Sequence, residues 1–183
     1  MIVGEKIILR EKTFADVWND YKWDTDPELA QLDAAKPVNI GFSEYISDYT
    51  IELRNPLPTS KRFAIETADG EHIGNCSYYN INESKGEAEL GIMIGNRDYW
   101  DRSYGTDVVI TLVNHIFSQT SLNRIYLKTL SSNTRAQKSF PKAGFTPYGQ
   151  MSRNNYDFVL MEIFRNKWLE QQSGTQDSDQ SEL

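Results

Sequence analysis

Residues 87–107 (EAELGIMIGNRDYWDRSYGTD) constrain the fold more than any other stretch of the chain. The side chains of residues 87–94 alternate with a period of two, which predicts a strand. After a short polar loop, SYGTD (103–107) precedes the apolar run VVITLVNHIF, which predicts a helix. The strand therefore ends where the helix begins, and the first free N–H groups of the helix face the end of the strand.

The start of this helix is a candidate anion site. Unpaired N–H groups and the positive end of the helix dipole attract a negatively charged ligand. Gly105 has no Cβ, so a phosphate can approach the backbone closely there. Ser103 has a second interpretation, because serine commonly caps an ordinary helix at such a position. The local residues leave both interpretations open.

The composition is that of an ordinary globular protein and excludes several classes. With 183 residues, 39% of them hydrophobic and 25% charged, the chain fits one domain. No apolar run reaches the length of a membrane span, and the N-terminal residues lack a signal-peptide pattern. The single cysteine, Cys76, permits no internal disulfide and, with two histidines, no motif-spaced zinc site. We therefore expect a cytoplasmic protein without a metal.

The net charge of −7 is unevenly distributed along the chain. Residues 170–183 contain four acidic residues and no lysine or arginine, which leaves about three net negative charges for the rest. Without a cluster of basic residues, we expect no nucleic-acid surface. The sequence thus predicts a single folded domain over residues 1–170, followed by a disordered acidic tail over residues 171–183.

The order of the predicted elements indicates an α/β (α+β) fold with a mixed, largely antiparallel sheet flanked by helices. Short turns at Asp69-Gly70 and at residues 82–86 join three consecutive strands into an antiparallel meander. A helix links the strand at residues 87–94 to the next one, so these two strands should be parallel. Strands are predicted at residues 6–10, 62–67, 72–81, 87–94, 124–130 and 156–165.

The remaining predicted helices lie before residue 55 and between Asn133 and Gly144. Aromatic residues on the N-terminal helices are expected to pack in the core, namely Trp18, Tyr21, Trp23, Tyr45 and Tyr49. Ligands of such sheets bind at the carboxyl ends of strands where the strand order changes, which is beside Ser103.

Two motifs resemble those of the GNAT N-acetyltransferases. WDRSYGTD (100–107) is similar to the family's acyl-CoA pyrophosphate loop, Gln/Arg-x-x-Gly-x-Gly/Ala. NTRAQKSFPKAGF (133–145) is similar to its Asn-x-x-Ala-x-x-x-Tyr-x-Lys-x-Gly-Phe. The tryptophan at the first position is typical of the branch with ribosomal-protein, polyamine and antibiotic acetyltransferases. The likeness spans residues 5–169, with both motifs in the family's order.

The resemblance implies acetyl-CoA as co-substrate, bound in a V-shaped gap between the two parallel central strands. The pantetheine arm would pair with the backbone near the end of the first of these strands, and the pyrophosphate would lie on the loop amides. Arg135 and Lys138 are further candidates to pair with phosphates. The implied cofactor-binding residues are Ile92, Met93, Ile94, Arg102, Ser103, Tyr104, Gly105, Thr106, Asn133 and Phe140.

Four residues depart from the family pattern. Ser103 replaces a glycine, which strains the loop if its φ is positive. Asp101 adds a negative charge near the loop on which the CoA pyrophosphate is expected to lie. Phe140 stands where many members have a tyrosine thought to protonate the departing thiolate, and Tyr148 and Tyr156 are alternative acids. Pro141 removes an N–H late in a short helix, so that helix is predicted to tighten or end there.

For acetyl transfer, the acceptor amine must lose a proton before it attacks the thioester. Glu87 and Glu89 lie on one face of the predicted strand, and Glu89 is the candidate general base because related sequences often have glutamate there. The alternative is that both carboxylates are solvated. Backbone amides near residues 92–94 would stabilise the oxyanion.

The resemblance thus implies an acetyl-CoA-dependent N-acetyltransferase that acts by direct attack in a ternary complex. A catalytically inactive CoA-binding module, used for sensing or as a scaffold, is the alternative that Ser103 and Phe140 motivate. The acceptor is open between a protein N-terminal amine, a polyamine, an aminoglycoside and an amino-sugar, and the N-terminal half is expected to shape its pocket. Monomer and homodimer both remain possible, and no membrane partner is expected.

Overall fold

The computed structural model describes the backbone of residues 1–179 and the side chains of residues 1–173. Within this range the strands form one eight-stranded sheet in the order β1-β2-β3-β4-β5-β6-β8-β7. The strands are β1 (Ile2–Val3), β2 (Ile7–Glu11), β3 (Lys61–Thr67), β4 (His72–Asn82), β5 (Glu87–Ile94), β6 (Arg124–Leu130), β7 (Thr146–Arg153) and β8 (Tyr156–Phe164). All neighbours are antiparallel except β5 and β6, which are parallel.

Helices cover both faces of the sheet. In the described range they are α1 (Val17–Asp24), α2 (Pro27–Leu32), α3 (Phe42–Arg54), α4 (Tyr104–Gln119), α5 (Thr134–Ser139) and α6 (Arg165–Asp179). The chain tightens into a 3-10 turn over Phe140–Ala143, as the missing N–H of Pro141 predicts. No helix among residues 1–179 is both long and apolar enough to cross a membrane.

The two faces of the sheet differ in chemistry because successive side chains of a strand point to opposite sides. Apolar side chains on one face pack against Leu112 and Ile116 of α4, and this is the core of the protein. They include Ile7, Leu9, Ile65, Ile73, Ala88, Leu90, Ile125 and Leu127. The opposite face carries polar side chains such as Arg10 and Asn75, which hydrogen-bond Asp16 and Asp20 at the start of the N-terminal helices.

The two parallel strands separate after a short paired segment. Strand β5 pairs with β6 only from Glu87↔Arg124 to Glu89↔Tyr126. Strand β6 continues to Leu130 paired with β8 on its other side. The second half of β5 therefore diverges from β6 and leaves a V-shaped gap at their carboxyl ends. The predicted mixed, largely antiparallel sheet with a splayed parallel pair is confirmed.

Some predicted elements differ from the structure. Strands β1 and β7 were not predicted, because β1 has two residues and β7 contains Pro147 and Gly149 without regular alternation. Trp18 was expected in the core but is 49% exposed, with its ring against Phe42 on the outer side of the helices.

Residues 171–183 were predicted to form a disordered tail, which stays a prediction. Helix α6 continues to Asp179, while residues 180–183 lie outside the described residues. Its first half is anchored by Trp168, whose indole Nε1 donates a hydrogen bond to Asn114 Oδ1 (2.7 Å) and whose ring packs on Phe117. An anchored helix is extended at little cost, because each further residue adds one hydrogen bond after nucleation.

Candidate functional site

The gap between β5 and β6 opens into a cleft of about 370 Å³. The cleft is lined by the end of β5, the loop that follows it, the start of α4, and α5. Nine of the ten predicted cofactor residues line it: Ile92, Met93, Ile94, Ser103, Tyr104, Gly105, Thr106, Asn133 and Phe140. Arg102 does not line the cleft; it is exposed, and its carbonyl oxygen accepts a hydrogen bond from Lys6 Nζ (3.2 Å).

The loop before α4 is held in an unfavourable backbone conformation. Ser103 has φ +66° and Asp101 has φ +59°, both in the left-handed region that favours glycine. Each such residue costs about 1–3 kcal/mol. The Ser103 side chain makes no capping hydrogen bond, so its interpretation as an ordinary helix cap is wrong. Serine thus stands at a position where the family's glycine would be unstrained.

The start of α4 presents backbone N–H groups without a capping side chain. A Cβ added at Gly105 would lie 3.9 Å from Ile94 Cγ1, so no protein atom crowds the space above this residue. The Thr106 and Ser139 hydroxyls lie 2.9 Å apart and connect α4 to α5. These features leave an accessible, positively polarised helix end at the cleft.

The carboxylate of Asp107 does not oppose an anion at this helix end. It is buried and accepts hydrogen bonds from the backbone N–H groups of Glu5 (3.0 Å), Lys6 (2.7 Å) and Ile7 (3.2 Å). Its charge is therefore stabilised by three backbone hydrogen bonds from the N-terminal segment. The same contacts fix β2 against α4.

A cation–aromatic pair forms one wall of the cleft. The Trp100 indole Nε1 donates to the carbonyl oxygen of Ile94 (2.7 Å), and the Arg135 guanidinium lies 3.6 Å from the centre of the ring. Arg135 also lies 3.8 Å from Asp101, which offsets the negative charge that the sequence places there. Lys138 and Lys142 line the same wall, so this end of the cleft has a surplus of positive charge.

Glu89 is buried on the polar face of β5 and is only 6% exposed. Its two oxygens accept hydrogen bonds from Lys128 Nζ (2.6 Å) and Asn80 Nδ2 (3.0 Å). Tyr79 is a third partner; burial, followed by the charge of Glu89 and a hydrogen bond to it, raises the pKa of this phenol. Asn80 adopts φ +52° at an irregularity in the pairing of β4 with β5. The alternative of a solvated Glu89 is therefore wrong.

Glu89 itself is not among the residues that line the cleft, and neither are Glu87, Tyr148 and Tyr156. Glu87 is half-buried and forms an ion pair with Arg124 (2.8 Å). Tyr148 is 44% exposed, and the same Arg124 guanidinium lies 5.0 Å from the centre of its ring. Tyr156, at the start of β8, packs on Phe158. Phe140 does line the cleft but carries no proton to donate.

Several residues of the site were missed by the sequence analysis. Leu29, Leu32 and Asp33, from the end of α2, also line the cleft. A six-residue helix is too short to show which of its residues face a distant strand, so the sequence has no local signal for them. Lys128 had no sequence signal either, because the register that brings it near Glu89 is known only from the structure.

Neither a reactive thiol nor a metal-binding cluster offers an alternative chemistry in the described part of the chain. Cys76 is buried, which raises the pKa of its thiol. A protonated, inaccessible thiol is inert as a nucleophile. No group of histidine, cysteine and acidic side chains that could hold a metal ion occurs among residues 1–179.

Comparison with known proteins identifies this arrangement. A family model described as an acetyltransferase (GNAT) domain matches residues 6–146. An uncharacterized N-acetyltransferase p20 of Bacillus licheniformis is 28% identical over 153 residues, which are 79% of this chain and 82% of that protein.

Two solved structures share the fold. A spermidine N-acetyltransferase from Vibrio cholerae, in complex with CoA and spermine, superposes with a TM-score of 0.79 at 20% identity over 91% of this chain and 99% of its own. The aminoglycoside acetyltransferase AAC(6')-Ib, in complex with coenzyme A, has a TM-score of 0.73 at 20% identity over 90% of this chain and 98% of its own.

Proposed function

Because this chain belongs to the acetyltransferase (GNAT) domain family, we propose that it transfers an acetyl group from acetyl-CoA to a primary amine by direct attack in a ternary complex. The observation that carries the proposal is the splay of β5 from β6, which opens directly onto the uncapped end of α4. A strand edge and a helix end that meet in one cleft suit a cofactor with an amide-containing arm and a pyrophosphate.

Each part of the cleft has a complementary part of acetyl-CoA. The diverging edge of β5 from Ile92 to Ile94 offers backbone groups to the pantetheine amides. The N–H groups at Gly105 and Thr106 face the pyrophosphate. Arg135, Lys138 and Lys142 add positive charge on the side of α5, in addition to the originally expected Arg102.

The acetyl end of the cofactor would then lie near the deep end of the gap, on the side of Glu89. The acceptor nitrogen attacks the thioester carbonyl carbon, the carbon–sulfur bond breaks, and the proton from nitrogen passes to Glu89 directly or through one water. For this, Lys128 must release Glu89 Oε1. Lys128 has a flexible stem and is 41% exposed, so it is the partner of Glu89 that can move most readily.

The leaving thiolate has no protonating side chain at the usual position, because Phe140 stands there. Neither Tyr148 nor Tyr156 lines the cleft. A thiol with an ordinary pKa of about 8.5 is a tolerable leaving group without an acid. We therefore propose that the thiolate leaves unassisted by a side-chain proton and is protonated later by solvent.

One observation favours an inactive CoA-binding module as the second candidate. The carboxylate of Glu89 already has partners in Lys128, Asn80 and Tyr79, so the proposed base is occupied. If Lys128 cannot leave, the cleft binds the cofactor but supplies no base.

An acceptor screen separates the two candidates. The protein is incubated with acetyl-CoA and a panel of amines (spermidine, kanamycin, glucosamine and a short peptide), with thiol release followed and products identified by mass spectrometry. Direct attack predicts intersecting initial-rate patterns and, without acceptor, no mass gain on the protein; a stable acetyl-protein would contradict it. Tight acetyl-CoA binding without any acetylated amine would support the inactive module.

A further inference from the structure

We propose that Asp33 binds a second positive charge of the acceptor, so that this enzyme selects amines with at least two ammonium groups. The inference rests on the proposed acetyl transfer and identifies the substrate class at that same site. It is carried by the position of Asp33 in the cleft and by the partners of the other charges around it.

Asp33 is held in place at the end of α2. Its backbone N–H donates to the carbonyl oxygens of Leu29 (3.1 Å) and Ala30 (3.2 Å), and both of these residues are buried. The next residue, Ala34, has φ +53°, which turns the chain away from the helix axis. The carboxylate thus belongs to a residue with a fixed backbone that lines the cleft.

The carboxylate of Asp33 has no partner in the described part of the chain: no hydrogen bond or ion pair to it occurs there. The cation that acts on Asp33 from nearby, Lys128, forms its ion pair with Glu89. Although Asp33 is exposed, its surface lies in a concave cleft, and burial by the surrounding protein raises the pKa of its carboxyl. An exposed carboxylate without a protein partner is available to a cation that enters the cleft.

The cofactor does not supply that cation. The phosphates of CoA are anions, and its pantetheine arm is neutral, so neither gains from a carboxylate. Asp33 also lies near the partners of the proposed base. The charge of Asp33 contributes to the raised pKa of Tyr79. The charge of Lys128 partly offsets the raised pKa of the Asp33 carboxyl. Both Tyr79 and Lys128 hydrogen-bond Glu89. The acceptor is therefore the ligand that meets Asp33.

The test compares two amines that differ in one charge, 1,4-diaminobutane and butylamine, with wild type and Asp33→Asn. Asn keeps the shape and removes the charge. We expect kcat/KM for the diamine to fall by about tenfold, mainly through KM, while that for butylamine changes by less than about twofold. Asp48→Asn is the control, because Asp48 is exposed on α3 and does not line the cleft. It should match wild type with both amines.

Binding measured by calorimetry in the presence of CoA keeps the test independent of turnover. If Asp33→Asn weakens spermidine binding but no amine is acetylated by wild type, the proposed catalysis fails and the charge selection stands. Equal losses for both amines, or an unchanged preference for the diamine, would overturn the role of Asp33. An unchanged melting temperature of Asp33→Asn verifies that the variant is folded.

Discussion

The two faces of the central sheet bury different kinds of side chain, apolar ones on one face and paired charged ones on the other. Under α4, side chains such as Leu9, Ile65 and Ile125 are fully buried and exclude water. Under α1–α3, buried carboxylates are paired: Asp16 with Arg10 (2.6 Å) and Glu89 with Lys128 (2.6 Å). No buried side-chain nitrogen or oxygen among the described residues lacks a hydrogen-bond partner.

The difference shows which face supports the fold and which face is available for chemistry. Apolar burial stabilises by about 25 cal/mol per Å² and tolerates swaps between aliphatic side chains of similar volume. Buried ion pairs contribute little net stability because desolvation offsets their attraction. The ion pairs on the polar face therefore add little to stability, but they keep charged groups available for catalysis or binding. The cleft opens at the β5–β6 end of this face.

The largest expected effect comes from the polar face. Glu89→Gln keeps the shape and removes the proposed base, so kcat/KM should fall by about 10²–10⁴-fold at neutral pH. The loss should shrink at high pH, where more of the acceptor amine arrives deprotonated. Acetyl-CoA affinity, measured by calorimetry, should not change. Glu87→Gln, on the same strand but paired with Arg124, is the matched control. A loss of less than about threefold would remove Glu89 from the mechanism.

The apolar face should respond in stability rather than in rate. Leu112 is fully buried on α4, and Leu112→Ala should lower the free energy of unfolding by about 2–5 kcal/mol. Because no charge is involved, chemical denaturation should give the same difference at pH 7 and at mildly acidic pH. A strongly pH-dependent difference would show that the two faces are not energetically separate.

Asp16→Asn makes the corresponding change on the polar face. Burial alone would raise the pKa of this carboxyl, but hydrogen bonds from Arg10 and from the backbone of Thr13 outweigh it and lower the pKa below its ordinary 3.8. The stabilisation is therefore present above pH 3.8 and is lost as the pH falls through the lower folded-state pKa. We expect a deficit of about 1–3 kcal/mol at pH 7. A deficit that did not shrink in acid would contradict this assignment.

The smallest effect is expected where the two faces meet, at the start of α4. Gly105→Val should weaken acetyl-CoA binding by about tenfold, or 1.4 kcal/mol, because its side chain fills the space of the phosphates. The melting temperature should stay near that of wild type, since only Ile94 lies close to this position. Gly105→Ala should give an intermediate dissociation constant. Unchanged affinity in both variants would mean that the cofactor does not approach this loop.

Much of the scaffold followed from local sequence patterns. The strands at Glu87–Ile94 and Arg124–Leu130 were predicted with the bounds observed, and the helix after Ser103 was predicted to within two residues at its end. Their parallel order followed from the intervening helix. Two motifs were enough to predict the cleft wall at α4 and α5. These features are local, because capping signals, proline and periodicity act within a few residues.

Only the tertiary structure decided which partners the charged side chains in and near the cleft have. Glu89 and Lys128 are 39 residues apart in sequence and meet because β5 and β6 run parallel for a short segment. Asn80 reaches Glu89 from an irregularity in β4 that no turn signal announced. Asp33 lines the cleft, and α2 is tied to the loop after β5 by the ion pairs of Arg97 with Asp26 and Glu28. Periodicity reports which side of an element is apolar, whereas the partner of a polar side chain depends on long-range packing that no local pattern records.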